Sequence, residues 1–239
     1  MSDRATSFGP VATVYERGRP PYPAEAVDWL LPVGATRIVD LGAGTGKLTR
    51  QLAGRGLDVT AVEPSAGMRA ELSRVLPGVP TLAGTAEDLP LPDHSADAVL
   101  CAQAWHWVDP GRAVPEVARV LSPGGRLGLI WNLRDEREDW VRRLGEIINS
   151  PEQYRQSELG TPFGPAETRD FGWTHQIGLD RLLDLVASRS YVILLDAADR
   201  AAVLDRVRHL TATHPDLAGR DTFPLPYITQ CARADLPQR

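Results

Sequence analysis

Between Arg37 and Asn132 short apolar runs alternate with amphipathic stretches, the pattern of a parallel sheet whose strands are joined by crossover helices. The first strand, Ile38-Val39-Asp40-Leu41, runs into Gly42-Ala43-Gly44-Thr45-Gly46, and Leu48 and Leu52 then mark one face of a helix stopped by Gly54 and Gly56. A second strand, Leu57 to Val62, leads into Glu63-Pro64-Ser65, after which Met68, Leu72, Val75 and Leu76 recur at helical spacing. Further strands are predicted at Thr81 to Gly84, Ala98 to Gln103 and Arg126 to Trp131, with a helix around Val114 to Leu121.

Beyond this core the pattern is less regular. Trp140, Val141, Leu144, Ile147 and Ile148 predict a helix, and Ser157 to Gly172, rich in Gly, Pro and polar residues, predicts a long loop. Leu179 to Val186 reads as a helix, Arg189 to Leu195 as a strand, Ala198 to Leu210 as a helix and Tyr227 to Arg233 as a last strand. Pro224 and Pro226 are expected to hold the entrance of that strand outside the ladder, because proline has no N–H to donate.

Length and composition narrow the class. The 239 residues suffice for one α/β unit, divided into an N-terminal flap and helix (1–34), a core (35–135), a substrate-side insertion (136–187) and C-terminal strands and helix (188–239). No apolar run approaches the roughly 18 residues of a membrane helix, and the N-terminus lacks a secretory pattern, so the expected address is the cytoplasm. A net charge of −5 argues against a coat for nucleic acid. Cys101 and Cys231 lie in apolar segments and read as reduced, buried thiols. No His, Cys or carboxylate cluster has metal-ligand spacing.

The candidate chemistry starts at the glycine turn, where three glycines at alternate positions let a ligand approach the backbone. The spacing differs from the dinucleotide fingerprint, and a phosphate-binding loop would need Ser or Thr where Leu48 stands. Asp40 at the approach suits a cationic ligand and would repel phosphates. Glu63 ends the second strand, where a carboxylate can accept from both hydroxyls of a ribose; a solvated strand-end glutamate is the plainer alternative. Ala86-Glu87-Asp88-Leu89-Pro90 follows the third strand and offers an acidic acceptor to an exocyclic amine such as that of adenine.

Together these residues resemble the class I S-adenosylmethionine-dependent methyltransferase family, in its small-molecule, methyltransferase type 11-like branch. The resemblance rests on Val39 to Gly46, Ala61-Val62-Glu63, Gly84 to Pro90 and Leu121-Ser122-Pro123-Gly124-Gly125-Arg126-Leu127, which occur in order across roughly residues 35 to 132. Tyr15-Glu16-Arg17-Gly18-Arg19-Pro20-Pro21-Tyr22-Pro23 and Ser188-Arg189-Ser190-Tyr191 resemble a bacterial and fungal branch of that family. The resemblance implies a Rossmann-like α/β fold: a seven-stranded, mainly parallel sheet with the last strand antiparallel and helices on both faces.

It also implies S-adenosylmethionine as cofactor and S-adenosylhomocysteine as product. By the resemblance Tyr15, Asp40, Gly42, Ala43 and Gly44 line the methionine half, Glu63 and Pro64 the ribose, and Met68, Ala86 and Glu87 or Asp88 the adenine, while Gln103 and Ala104 sit next to the sulfonium.

On the substrate side His106 has two readings, a base for an acceptor hydroxyl or a packing residue between Trp105 and Trp107. Those tryptophans wall the acceptor pocket or belong to the core. Arg17 and Arg19, with Tyr22, form a flap that meets a carboxylate, or a solvated basic turn. Ala102-Gln103-Ala104-Trp105 departs from the Asn-Pro-Pro-Tyr pattern of enzymes that methylate amino groups of nucleic-acid bases, so the expected partner is a small molecule, with no nucleic acid and no membrane. Two other readings stay open: a nicotinamide-dependent reductase on the same core, and a non-catalytic module that senses the cofactor.

Overall fold

The computed structural model describes residues 18–149 and 159–238, and of residue 190 only the backbone. Seven strands form one sheet in the order β3-β2-β1-β4-β5-β7-β6: β1 Arg37–Leu41, β2 Asp58–Val62, β3 Thr81–Leu82, β4 Ala96–Ala102, β5 Leu121–Arg134, β6 Glu167–Gly178 and β7 Thr222–Asp235. The first five run parallel, and β7 is antiparallel to both of its neighbours. This is the doubly wound sheet with an antiparallel last strand that the sequence predicted.

Alternation along the central strands builds two cores. Ile38, Val59, Ala98, Leu100 and Ile130 face one side, against α1 (Ala24–Leu30) and α2 (Lys47–Ala53). Val39, Leu41, Val99, Cys101, Leu127 and Leu129 face the other, against α4 (Pro110–Val120). The remaining helices are α3 (Ala66–Val75), α5 (Asp139–Ile147), α6 (Leu179–Ala187), α7 (Ser190–Ile193) and α8 (Ala197–Thr213), and α5, α6 and α8 enclose a third apolar cluster against Phe223, Leu225 and Tyr227 of β7. Both cysteines are buried and unbridged. Among the described residues no helix is long and apolar enough to cross a membrane.

Three local expectations are corrected. The predicted loop Ser157 to Gly172 ends early, because Glu167–Gly178 pairs with β7 over its whole length, from Glu167↔Arg233 to Gly178↔Thr222. This edge strand keeps only Phe171 and Ile177 buried, so its sequence looks polar, and the partner strand supplies what local hydrophobicity does not. Arg189 to Leu195, predicted as a strand, instead holds the short helix α7. Its last carbonyls are captured by Arg200 of α8, whose Nη2 donates to Ile193 O at 3.0 Å and Leu195 O at 3.1 Å. Pro224 and Pro226 lie inside β7, not before it. Asp135 N donates to Pro226 O at 3.0 Å, so the donor-less edge of both prolines faces the end of β5, and the ladder to β6 loses nothing.

Candidate functional site

The sheet order turns outward from β1 and β4 in opposite directions, so their carboxyl ends open a crevice. On the β1 side the chain leaves the strand through Gly42-Ala43-Gly44-Thr45-Gly46. Gly42 sits at φ +69°, and a Cβ there would stand 2.8 Å from that of Ala104, so the turn and the β4 tip touch only because the position is bare. Gly42 N donates to Val62 O at 2.8 Å, tying the turn to the end of β2.

Two carboxylates lie beneath this turn. Asp40, fully buried on β1, accepts from the Thr49 hydroxyl of α2 at 2.6 Å through Oδ2, while Oδ1 has no hydrogen-bond partner. Burial pushes its pKa up to about 7, against the opposing pull of the Thr49 hydrogen bonds. Glu63, at the tip of β2, accepts from Gly44 N at 3.0 Å through Oε2 and from Ser65 N at 2.8 Å through Oε1. Burial raises its pKa too, opposed by those two amides and by Arg69, which donates to Glu63 O and Pro64 O.

Above the crevice lies an open cavity. Its floor is Gly42 to Thr45, Lys47 and Leu48; the β4 and β5 tips give Ala102, Gln103 and Asn132; Arg19, Pro20 and Tyr22 lie on one side, and Leu185, Arg189 and Tyr227 complete the wall. Gln103 holds φ +57°, a left-handed conformation costly for a side chain, and its N–H donates to Ile130 O at 2.9 Å. Arg19 Nη2 donates to Ser188 O at 3.2 Å, drawing the N-terminal segment onto the residue before Arg189.

Of the residues predicted from the sequence, the structure brings Arg19, Tyr22, Gly42, Ala43, Gly44 and Gln103 to this wall. Asp40 and Glu63 lie behind the glycine turn, bonded to it or to the helix it starts. Met68 and Ala86 are buried nearby in the sequence of α3 and after β3, Asp88 is exposed, and Glu87 accepts from Asp109 N at 2.9 Å, at the start of α4. Trp105 is buried in the core and Trp107 is 42% exposed, with the His106 ring 4.6 Å from that of Trp107. These three form a 3-10 turn and do not line the cavity. Tyr15 and Arg17 lie outside the described residues.

Sequence reasoning missed Lys47, Asn132, Leu185, Arg189 and Tyr227. Asn132 carried a signal, a carboxamide inside the apolar run Leu129-Ile130-Trp131-Asn132-Leu133. Arg189 was obscured by the strand assigned to its segment.

A carboxylate oxygen buried without a partner, below a backbone cradle that a Cβ would fill, suits a ligand with a positive centre and a close-lying chain. Among the described residues no group of His, Cys, Asp and Glu could hold a metal ion.

Residues 39–129 match the family model described as a methyltransferase domain. The chain is 57% identical to an uncharacterized methyltransferase of Mycobacterium bovis, the match covering 98% of this chain and 97% of that one. It is 33% identical to a methyltransferase-like protein of Schizosaccharomyces pombe, over 90% of each chain. A solved structure from Anaeromyxobacter dehalogenans, provisionally assigned as a type II methyltransferase, superposes with a TM-score of 0.68 at 25% identity, covering 92% of this chain and 99% of that one.

Proposed function

Given that the chain belongs to the class I S-adenosylmethionine-dependent methyltransferase family, we propose that donor and acceptor meet in the cavity over the glycine turn, with a small molecule as acceptor. The observation that carries this reading is the partnerless Asp40 oxygen beneath bare backbone at a sheet crevice. An extended positive ligand, not a diphosphate, fits that cradle.

When bound, S-adenosylmethionine supplies an electrophilic methyl carbon on a sulfonium, and the chain's part is to position the acceptor and keep water out. Gly42, Ala43 and Gly44 leave room for the methionine chain, with Asp40 below for its positive charge. Glu63 offers both oxygens to the ribose hydroxyls, each oxygen keeping a lone pair beyond the amide it already accepts. Pro64 and Met68 flank the ribose and adenine, and Asp88, Ala86 and Glu87 offer the adenine edge. Of the two acids there, Asp88 is exposed while Glu87 already braces Asp109. Gln103 and Ala104 set the β4 tip, and Arg19 and Tyr22 cover the opening. The glycine turn and the Gln103 tip would hold an acceptor in line with the methyl carbon that S-adenosylmethionine would supply.

His106 stands just past Ala104, outside the cavity wall, and burial holds its pKa down at about 4, which leaves the imidazole neutral at pH 7 but a weak base, so packing is the reading its surroundings favour. A base role on a hydroxyl acceptor would show in His106→Ala as turnover lowered about tenfold or more with cofactor affinity within twofold. Turnover unchanged in that variant is the expected result and assigns the ring to packing beside Trp107.

The reaction itself is tested by incubating the protein with S-adenosylmethionine and a panel of small alcohols, amines and carboxylic acids while following S-adenosylhomocysteine. Formation above the acceptor-free rate is expected for at least one class. A flat response across the panel, with the cofactor bound, would instead favour a cofactor-sensing module.

A further inference from the structure

The segment Arg19-Pro20-Pro21-Tyr22-Pro23 covers one side of the cavity, and its three prolines leave it too few N–H groups to join the sheet. Two side-chain amides hold its backbone instead. Gln51 of α2 brackets Tyr22, accepting from its N–H at 2.9 Å and donating to its C=O at 2.7 Å. Asn132 of β5 donates through Nδ2 to Pro21 O at 2.9 Å.

The direction of the Asn132 amide is fixed from two strands away. An indole N–H can only donate, and that of Trp173 on β6 gives its proton to the Thr229 hydroxyl of β7 at 2.8 Å. The Thr229 proton is thereby left for Asn132 Oδ1, at 2.6 Å. With Oδ1 accepting, the other end of the amide is the NH2 group, and Pro21 O is the acceptor it meets. Asn132 is 5% exposed and Thr229 fully buried, so water does not compete for these bonds.

The main chain of the same residue reaches the opposite wall. Gln103 Nε2, at the β4 tip, donates to Asn132 O at 3.2 Å. Cover and tip are therefore fastened to one residue whose orientation is read out by Thr229 and Trp173.

We propose that Asn132 is a positioning residue for methyl transfer, setting the proline segment and the Gln103 tip together over the glycine turn. The inference rests on the cofactor reading above, since it gives that closure a ligand to retain. Asn132→Asp keeps the shape but, measured at a pH where the new carboxyl is ionised, turns an oxygen that cannot donate toward the Pro21 carbonyl. Thr229→Val breaks the relay one step away, and Thr229→Ser restores the hydroxyl.

Two readouts on the full-length protein separate this role from simple support of the fold: hydrogen exchange at the Tyr22 amide, and S-adenosylhomocysteine association and dissociation followed by tryptophan fluorescence. In Asn132→Asp and Thr229→Val, Tyr22 exchange and ligand dissociation are expected to accelerate tenfold or more, with association within twofold. Thr229→Ser is expected within threefold of the parent in both. A lowered melting temperature with exchange and dissociation unchanged overturns the proposal, as does Thr229→Ser behaving like Thr229→Val. Should Asn132→Asp fail to fold, the Thr229 pair decides alone. A parent protein that binds no S-adenosylhomocysteine contradicts the cofactor reading and this proposal with it; binding in the parent that the variants leave untouched contradicts only the second.

Discussion

Glu63→Gln is expected to weaken S-adenosylmethionine binding by a hundredfold or more and to destabilise the unliganded protein by about 1–3 kcal/mol. Both effects follow from the use of both carboxylate oxygens. Oε2 accepts from Gly44 N and Oε1 from Ser65 N, so either placement of a glutamine amide faces its NH2 toward another donor. One bond is lost and a buried N–H is left opposed, on the turn that forms the cavity floor. In the complex the same oxygens are proposed to accept from two ribose hydroxyls, and hydrogen bonds to a charged acceptor contribute about 1.5–3 kcal/mol each. Calorimetric titration gives the affinity and a thermal melt gives the stability. Affinity within threefold of the parent would remove Glu63 from the binding site.

Asp40→Asn is expected to separate stability from binding. Below about pH 4 the carboxyl is neutral in the folded and the unfolded chain, and the substitution changes little. As pH rises from there to about 7, the unfolded chain gives up the proton while the buried group keeps it, so folding loses free energy steadily. Above about pH 7 the loss is complete. The gap between the ordinary carboxylate value and about 7 corresponds to about 4 kcal/mol, reduced by any water reaching the site. Asp40→Asn therefore gains about 2–4 kcal/mol of stability at pH 8 and almost none at pH 4, measured by denaturant titration at the two pH values. Its affinity for S-adenosylmethionine at pH 8 is expected to fall tenfold or more, because the charge that offsets the ligand's cation is gone. Binding to the parent near pH 7 should release a proton, seen as a dependence of the titration heat on the buffer's ionisation enthalpy. Stability independent of this substitution at pH 8 would mean that Asp40 is solvated in the folded protein.

What the sequence made legible were the parts whose chemistry is local. Gly42, Asp40 and Glu63 stand at strand tips because the turn and the two acids are read directly from residue type and from the strand that precedes them, and the sheet order places them side by side. The far wall was illegible because it depends on pairing across the chain. Tyr227 reaches the cavity through its pairing with Arg134 of β5 and Trp173 of β6, and β6 hides as an exposed, polar edge strand. Arg189 comes to the wall because Arg200 closes a helical turn where β-branched and aromatic residues suggested a strand. Asn132 was visible as a polar residue in an apolar run, but its meaning lay in Pro21, Thr229 and Gln103, none of them near it in sequence.

The most direct measurement is a calorimetric titration of the full-length protein with S-adenosylhomocysteine, beside a parallel titration with NAD. We predict saturable binding of one S-adenosylhomocysteine per chain, lost in Glu63→Gln, and no heat from the dinucleotide. Binding of NAD in its place, or S-adenosylhomocysteine bound equally well by Glu63→Gln, would contradict the assignment of the glycine turn and its two acids to the methyl donor.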